Sequence, residues 1–307
     1  MTKIKNALLI LISLIVILAL VLNFDLIADK FKKLFNVTPD LVILPGNEYV
    51  KNDKFKLVSQ VEDYTPYSYQ DLMNIFYSTL NQGWEEFTFY CPIEYTDCLN
   101  DVEKLSLDET LLSDINNFVH PYNSYTSIKT LFDDTGKVQI LVKHLYSKKD
   151  IAVSEDYIDT LFESIIKGSM TTEQKIKALH DYVINNTKYD AQRANNGTSD
   201  YDSARIMGII YDNYAICSGY ADIMAVFLNR LGLPNFKVSS ESHVWNVVYL
   251  NNQWLHLDLT WDDPITTNGR DILDHSYFLI DNNKLERISK DNKDHIFDKS
   301  VYLELDY

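Results

Sequence analysis

The chain has 307 residues, of which 46% are hydrophobic and 13% aromatic, as is typical of a packed globular protein and not of a disordered one. A formal net charge of −16 argues against a nucleic-acid-binding protein, because so acidic a surface would repel phosphates. The length allows one membrane segment together with one large domain or two small ones.

The N-terminal segment is apolar from Ala7 to Leu22 and follows Lys3 and Lys5. It is shorter than the roughly 20 residues that cross a bilayer, so it has three interpretations: a cleaved signal peptide, an uncleaved signal anchor or a buried core helix. A core helix is disfavoured because the segment is apolar all round, and a cleaved peptide because small residues are missing at the cleavage site. We therefore predict a single-pass signal anchor over residues 1–27, in the cell membrane. Lysines on both sides leave its orientation open, and the short basic tail is our reason for placing the body outside the cell.

Residues 28–48 are predicted to be a stalk interrupted by prolines, and residues 49–168 a small α/β domain of unknown role. Within that domain, Cys91 and Cys98 are close enough to form a disulfide, although three free thiols fit the sequence equally well. The domain pattern consists of helices over 71–81, 107–118 and 154–167, a strand over 84–90 and a hairpin over 125–132 and 138–146.

The second predicted domain covers residues 169–307. Thr171 and Gln174 have the spacing of a capping box that begins a helix. A second helix is predicted from Cys217 to Leu231, where Gly232 ends it. Three strands then follow, over about 236–240, 243–250 and 253–261.

Cys217 stands at the predicted start of its helix. A thiol there faces unpaired backbone N–H groups and the positive end of the helix dipole, which favour the reactive thiolate. Gly219 allows another backbone or a substrate to approach closely. A lone cysteine is more often a small buried hydrophobic residue, so the interpretation depends on its partners.

Those partners follow from a hairpin register. Asn251-Asn252 tolerates the positive φ of a type I′ turn, and this turn pairs Val247 with His256. His243 and Asp258 then become diagonal neighbours on one face, within reach of a hydrogen bond. The carboxylate would orient the imidazole and leave its other nitrogen for the thiol of Cys217.

A zinc site made of Cys217, His243 and His256 is the main alternative. His256 pairs four residues away from His243, roughly 13 Å along the strand, which is too far for zinc bonds of about 2 Å. We therefore predict no metal and no cofactor, with His256 as a structural residue. Trp245 and Trp254 share the face of His243, where they would shield the triad from water.

The segments Cys217-Ser218-Gly219-Tyr220-Ala221, His243-Val244-Trp245-Asn246 and Trp254…Asp258-Leu259-Thr260-Trp261 resemble the bacterial transglutaminase-like superfamily. The resemblance covers roughly residues 165–282. It implies an α+β fold with a papain-like core, in which the cysteine-bearing helix packs on an antiparallel sheet, preceded here by the small α/β domain and the N-terminal transmembrane helix.

The resemblance implies that Cys217 is the nucleophile, His243 the general base and acid, and Asp258 the residue that orients His243. Tyr214 is a candidate for completing the oxyanion hole, and Trp245 for supporting the substrate site. The expected function is acyl transfer through a thioester on a protein or peptidoglycan-peptide substrate. Whether water or an amine accepts the acyl group stays open, so a peptidase or amidase and a transglutaminase are both expected. The alternative is an inactive binding or scaffold module at the cell surface.

Overall fold

The computed structural model describes residues 43–44, 57–58, 64–265 and 272–305. The predicted anchor over 1–27 lies outside these residues, as does the stalk except for 43–44. Each helix within the described residues is too short or too polar to cross a bilayer. The helices are α1 Tyr69–Asn81, α2 Cys98–Leu107, α3 Glu109–Asn117, α4 Lys148–Ile165, α5 Thr172–Asn186, α6 Ala191–Asn196, α7 Ile206–Asp212, α8 Cys217–Arg230 and α9 Asn282–Ile288.

The fold is mixed α+β, and most of its strand pairs are antiparallel. A short parallel pair, β6 with β7, is the exception among the described strands. The strands are β1 Ile43–Leu44, β2 Leu57–Val58, β3 Glu86–Tyr90, β4 Tyr125–Phe132, β5 Lys137–His144, β6 Lys188–Tyr189, β7 Tyr214–Ala215, β8 Asn235–Ser239, β9 Val244–Leu250 and β10 Gln253–Leu257.

The first core lies between helices α1 to α3 and a sheet with strand order β3-β5-β4. Alternate residues of β5 are buried, as the predicted hairpin requires. Cys91 and Cys98 form a disulfide at the start of α2, so the interpretation as three free thiols was wrong. The core residues include Leu72, Phe76, Phe87, Phe89, Val102, Ile115, Val138 and Ile140.

Helix α4 begins earlier than predicted, because Ser147 and Asp150 form a capping box at its N-terminus. Its buried residues Ile158 and Leu161 belong to a second core together with α5 and α8. The capping box of Thr171 and Gln174 at α5 is confirmed. The boundary at residue 168 stays a prediction.

The predicted hairpin register is confirmed from Gln253 to His256, with His256 opposite Val247. Asn251 and Asn252 have φ values of 53° and 65°, as a type I′ turn requires. The ladder ends at Leu257, one residue before Asp258, whose N–H donates to the carbonyl of Tyr277. Helix α8 packs against β8 and β9, so the cysteine-bearing helix lies on an antiparallel sheet.

Both faces of this sheet are buried. One face contributes Val248, Leu257 and Leu259 to the second core. The other face contributes Trp245 and Val247 to a third core, which the C-terminal residues 277–305 complete. The C-terminal residues therefore cover the sheet face that carries Trp245.

Candidate active site

Cys217 is the first residue of α8 and is partly exposed. Ile216 precedes it in an extended conformation, without a side-chain cap, and the first-turn N–H groups of a helix have no acceptor within the helix. Gly219 makes this helix start possible, because a Cβ there would lie 2.6 Å from the carbonyl oxygen of Ser203. The same carbonyl accepts a hydrogen bond from the N–H of Ile216 at 2.8 Å. The segment around Ser203 therefore holds the position of Cys217.

His243 is joined to Asp258 by a hydrogen bond of 2.6 Å between Nε2 and Oδ2. Both side chains are buried, and the thiol of Cys217 lies close enough to the imidazole to raise its pKa. Since Nε2 is engaged by Asp258, Nδ1 is the ring nitrogen left for the thiol. The structure thus brings together the three residues that the sequence predicted as a triad.

The electrostatics favour a charged pair at this site. Burial alone would lower the pKa of His243, but the charge of Asp258, its hydrogen bond and the neighbouring Cys217 raise it to about 10. For Asp258, burial opposes ionisation, yet the charge and hydrogen bond of His243 hold the pKa of the carboxyl well below its usual range. An imidazolium between a carboxylate and a thiol is the arrangement that stabilises a thiolate.

Asp258 has more partners than the triad requires. Its Oδ1 accepts the backbone N–H groups of Thr260 and Trp261 at 2.9 and 3.2 Å. Its Oδ2 also accepts a hydrogen bond of 2.9 Å from Nε2 of a second histidine, His295. Nothing in the pattern around His295 marks it in the sequence, since it lies in an irregular segment after α9.

Trp245 contacts His243 through its ring and not through a hydrogen bond. Its ring stacks on that of His243, with centroids 5.6 Å apart and an interplanar angle of 13°. Its indole N–H donates to Nδ1 of His256 at 3.0 Å. Burial first, and then the nearby His295, lower the pKa of His256 to about 3, so this side chain is a neutral structural residue. Support of a substrate by Trp245 stays a prediction.

Tyr214 lies in β7, three residues before Cys217. Its ring stacks on Tyr201, with centroids 4.1 Å apart and an interplanar angle of 2°. Its predicted part in an oxyanion hole stays a prediction. Tyr189 lies in the paired strand β6. Burial, and then nearby charges, raise the pKa of Tyr189 to about 12.

A second histidine cluster lies beside the first. His180 is fully buried in α5 and contacts Asp181 through Nδ1 at 3.0 Å and Asp262 through Nε2 at 3.2 Å. Burial would lower the pKa of His180, but the two carboxylates raise it. His275 completes the cluster through a 2.7 Å contact between its Nε2 and Asp181.

Each cluster offers three donor atoms close enough together for a metal ion. In the second cluster, Nζ of Lys177 is 2.7 Å from Nε2 of His275 and 2.6 Å from Oδ2 of Asp181, so a positive charge already lies beside these groups and disfavours a second cation. In the first cluster, His243 and His295 contact Oδ2 of Asp258 at 2.6 and 2.9 Å. Two ligand atoms of a tetrahedral zinc ion, each about 2 Å from the metal, would be ~3.3 Å apart, so the observed contacts are the shorter ones expected of hydrogen bonds. Hydrogen bonding therefore accounts for both clusters.

The region around Cys217 is similar to known proteins. Residues 159–259, which include all three predicted triad residues, match the family model of the Transglutaminase-like superfamily. The chain is also 23% identical over 158 residues to the human kyphoscoliosis peptidase, and this match covers 44% of the chain. The chain spans about a quarter of the length of that relative, namely 24%. These matches support the resemblance to the transglutaminase-like superfamily.

Two solved structures are distantly similar to this chain. The crystal structure of a TGase is 16% identical, with a TM-score of 0.34, and the match covers 82% of this chain and 80% of that one. The structure of a candidate cysteine protease from Cytophaga hutchinsonii is 14% identical, with a TM-score of 0.28, over 50% of this chain and 69% of the other.

Proposed function

We propose that the chain is a cysteine-dependent acyl-transfer enzyme that acts on protein or cell-wall peptide amides through a thioester at Cys217. The observation that carries the proposal is the contact series from Cys217 through His243 to Asp258, at the uncapped start of α8. The partial exposure of Cys217 leaves the thiol accessible to a substrate, while its two partners are buried.

The chemistry follows from this geometry. The thiolate attacks the amide carbonyl and forms an S–C bond, while the N–H of Cys217 and its helix neighbours stabilise the oxyanion. The imidazolium of His243 donates its proton to the nitrogen as the C–N bond breaks, and the amine departs. Neutral His243 then takes a proton from water or from a second amine, which attacks the thioester and releases the thiolate. Water gives a peptidase or amidase, and an amine gives a transglutaminase.

We further propose that this enzyme is anchored in the cell membrane by residues 1–27, with its catalytic region outside the cell. The disulfide between Cys91 and Cys98 supports an external location, because disulfides persist mainly in oxidising compartments. Protease added to intact cells should then remove the described region. Its complete resistance, with a cytosolic marker as control for intact cells, would contradict the location without bearing on the chemistry.

The experiment that tests the chemistry incubates the full chain with a library of glutamine-containing peptides, with and without a primary amine. Mass spectrometry separates the three outcomes of cleavage, deamidation and amine incorporation. We expect at least one of them with the wild type and none with Cys217→Ala. His275→Gln is a matched control, because it alters a histidine of the second cluster. Activity in Cys217→Ala equal to the wild type would show that the thiol is not the nucleophile.

A further inference from the structure

We infer that His295 is a positioning residue of the proposed active site, which holds Asp258 in the orientation that His243 needs. The inference rests on the proposed function and adds a fourth side chain to the predicted triad. It concerns a residue outside the region that matches the family model, which ends at residue 259.

The first argument is the shared oxygen. His243 and His295 both contact Oδ2 of Asp258 through their Nε2 atoms, at 2.6 and 2.9 Å. The other carboxylate oxygen is fixed by two backbone N–H groups. Four donors therefore surround one carboxylate, two from histidine side chains and two from the backbone. Its removal leaves Oδ2 held by His243 alone.

The second argument is the proton on His295. A neutral imidazole donates from one nitrogen and accepts at the other. The hydroxyl of Ser289 is 2.9 Å from Nδ1 of His295, where it can donate to a neutral ring or accept from a charged one, and in both cases Nε2 carries a proton directed at the carboxylate of Asp258. Ser289 is itself buried at the end of α9, so this contact is shielded from water. The series Ser289, His295, Asp258, His243 and Cys217 is thus continuous.

The third argument is rigidity. The His295 ring is enclosed by three aromatic rings, those of Trp245, Trp261 and Tyr277, with centroids 4.9 to 5.3 Å away. The preceding residue, Asp294, accepts a hydrogen bond of 2.8 Å from the hydroxyl of Ser242, next to His243. The segment that carries His295 is therefore tied to the turn that carries the first histidine, and the two histidines keep a fixed separation.

The test compares three substitutions of His295 in the full chain. In His295→Gln the amide nitrogen can reach the place of Nε2 and donate to Asp258. In His295→Asn the side chain is too short to do so, and His295→Leu has no donor. Cys217 is the single free thiol, because the other two of the three cysteines form the disulfide. The rate at which iodoacetamide alkylates the protein therefore reports on this site alone, without a known substrate.

We expect His295→Leu and His295→Asn to lower the alkylation rate at pH 6 by about ten-fold, because a displaced imidazole of His243 no longer stabilises the thiolate fully. His295→Gln should stay close to the wild type at every pH. Combined with Asp258→Asn, His295→Leu should add little, because both act through the same carboxylate. Thermal unfolding of each variant separates the positioning role from a purely structural one. A purely structural role would lower the midpoint temperature of unfolding and leave the pH profile of the alkylation rate unchanged.

Three outcomes would overturn the inference. One is a pH profile of the alkylation rate in His295→Leu that equals that of the wild type. Another is full additivity between the effects of His295→Leu and Asp258→Asn on this rate. The third is one equivalent of zinc bound by the wild type and lost in His295→Leu, which would make His295 a metal ligand. If the wild-type thiol itself reacts no faster at pH 6 than a free cysteine, the proposed function fails first, so the two failures are distinguishable.

Discussion

Two histidine clusters lie side by side in this protein and share the turn that follows β10. In the first, Asp258 holds His243 and His295, and in the second, Asp262 and Asp181 hold His180. Tyr277 supports both, since its carbonyl accepts the N–H of Asp258 and its own N–H donates to Asp262. The two clusters differ in what completes them, which is a thiol in the first and the ammonium of Lys177 in the second.

The comparison indicates that a buried histidine between carboxylates is not by itself a catalytic site. His180 is enclosed on both nitrogens by acidic groups and has no ring nitrogen left for a substrate. In His243 a carboxylate engages only one ring nitrogen, which leaves the other for the partly exposed thiol of Cys217. The expected effects of substitution should therefore differ in kind between the clusters, with activity affected in the first and stability in the second.

The largest expected difference is between His243→Ala and His275→Ala. Loss of His243 removes both the partner of the thiolate and the proton donor to the amine, so kcat should fall by about 10⁵-fold or more. Loss of His275, which is about a third exposed, should change kcat less than two-fold. Steady-state kinetics on the peptide found in the library screen measures both. Similar losses in both variants would remove the distinction between the clusters.

The next effect concerns the carboxylates. Asp258→Asn should lower kcat by about 10⁴-fold, because the amide no longer fixes the tautomer of His243 or stabilises its charge. Asp181→Asn in the second cluster is the matched control and should leave kcat nearly unchanged. A small effect of Asp258→Asn on kcat, in protein that is fully folded by circular dichroism, would contradict the assigned role.

The third prediction is a pH dependence. The imidazolium of His243 should persist well above neutral pH and lose its proton near pH 10, and activity should fall over the same range. In Asp258→Asn this alkaline limit should move toward the ordinary value near 6.5, because the attraction of the carboxylate is gone. Histidine nitrogen chemical shifts, followed through a pH titration, give both values. A neutral His243 in the wild type at pH 8 would contradict the charged pair.

The smallest effect is on stability. His180→Leu leaves Asp262 buried without its imidazole partner, which should lower the free energy of unfolding by about 3 kcal/mol. The pKa of His180 is raised in the folded state, so its contribution is complete below the unfolded value near 6.5 and is lost as the pH rises through the folded value. Urea unfolding at pH 6 and pH 9 should show the larger difference at pH 6. An equal difference at both would indicate that His180 folds uncharged.

Local patterns in the sequence predicted much of this site. The pair Asn251-Asn252 determined the hairpin register, and the register placed His243 and Asp258 on one face. The start of α4 also has a local signal in the sequence, because Ser147 and Asp150 have the spacing of a capping box. The helix was predicted to begin only at residue 154 because its apolar pattern begins later than the capping box.

The contacts of His295 could not be predicted in this way. It lies 37 residues after Asp258 in an irregular segment, so neither helical nor strand periodicity relates the two residues. The same holds for the contact between His180 and Asp262, which are 82 residues apart. Both contacts depend on how the C-terminal segment and α5 pack around the turn after β10, which only the folded structure specifies.

The most direct measurement for the whole account is the search for an acyl group on Cys217. The full chain is mixed with the peptide substrate, quenched in acid within the first turnovers, digested and analysed by mass spectrometry. The account predicts that the peptide containing Cys217 gains the mass of the acyl fragment, and that hydroxylamine removes it, as expected of a thioester. Formation of product without any acyl group on Cys217, at a rate that Cys217→Ala leaves unchanged, would contradict it.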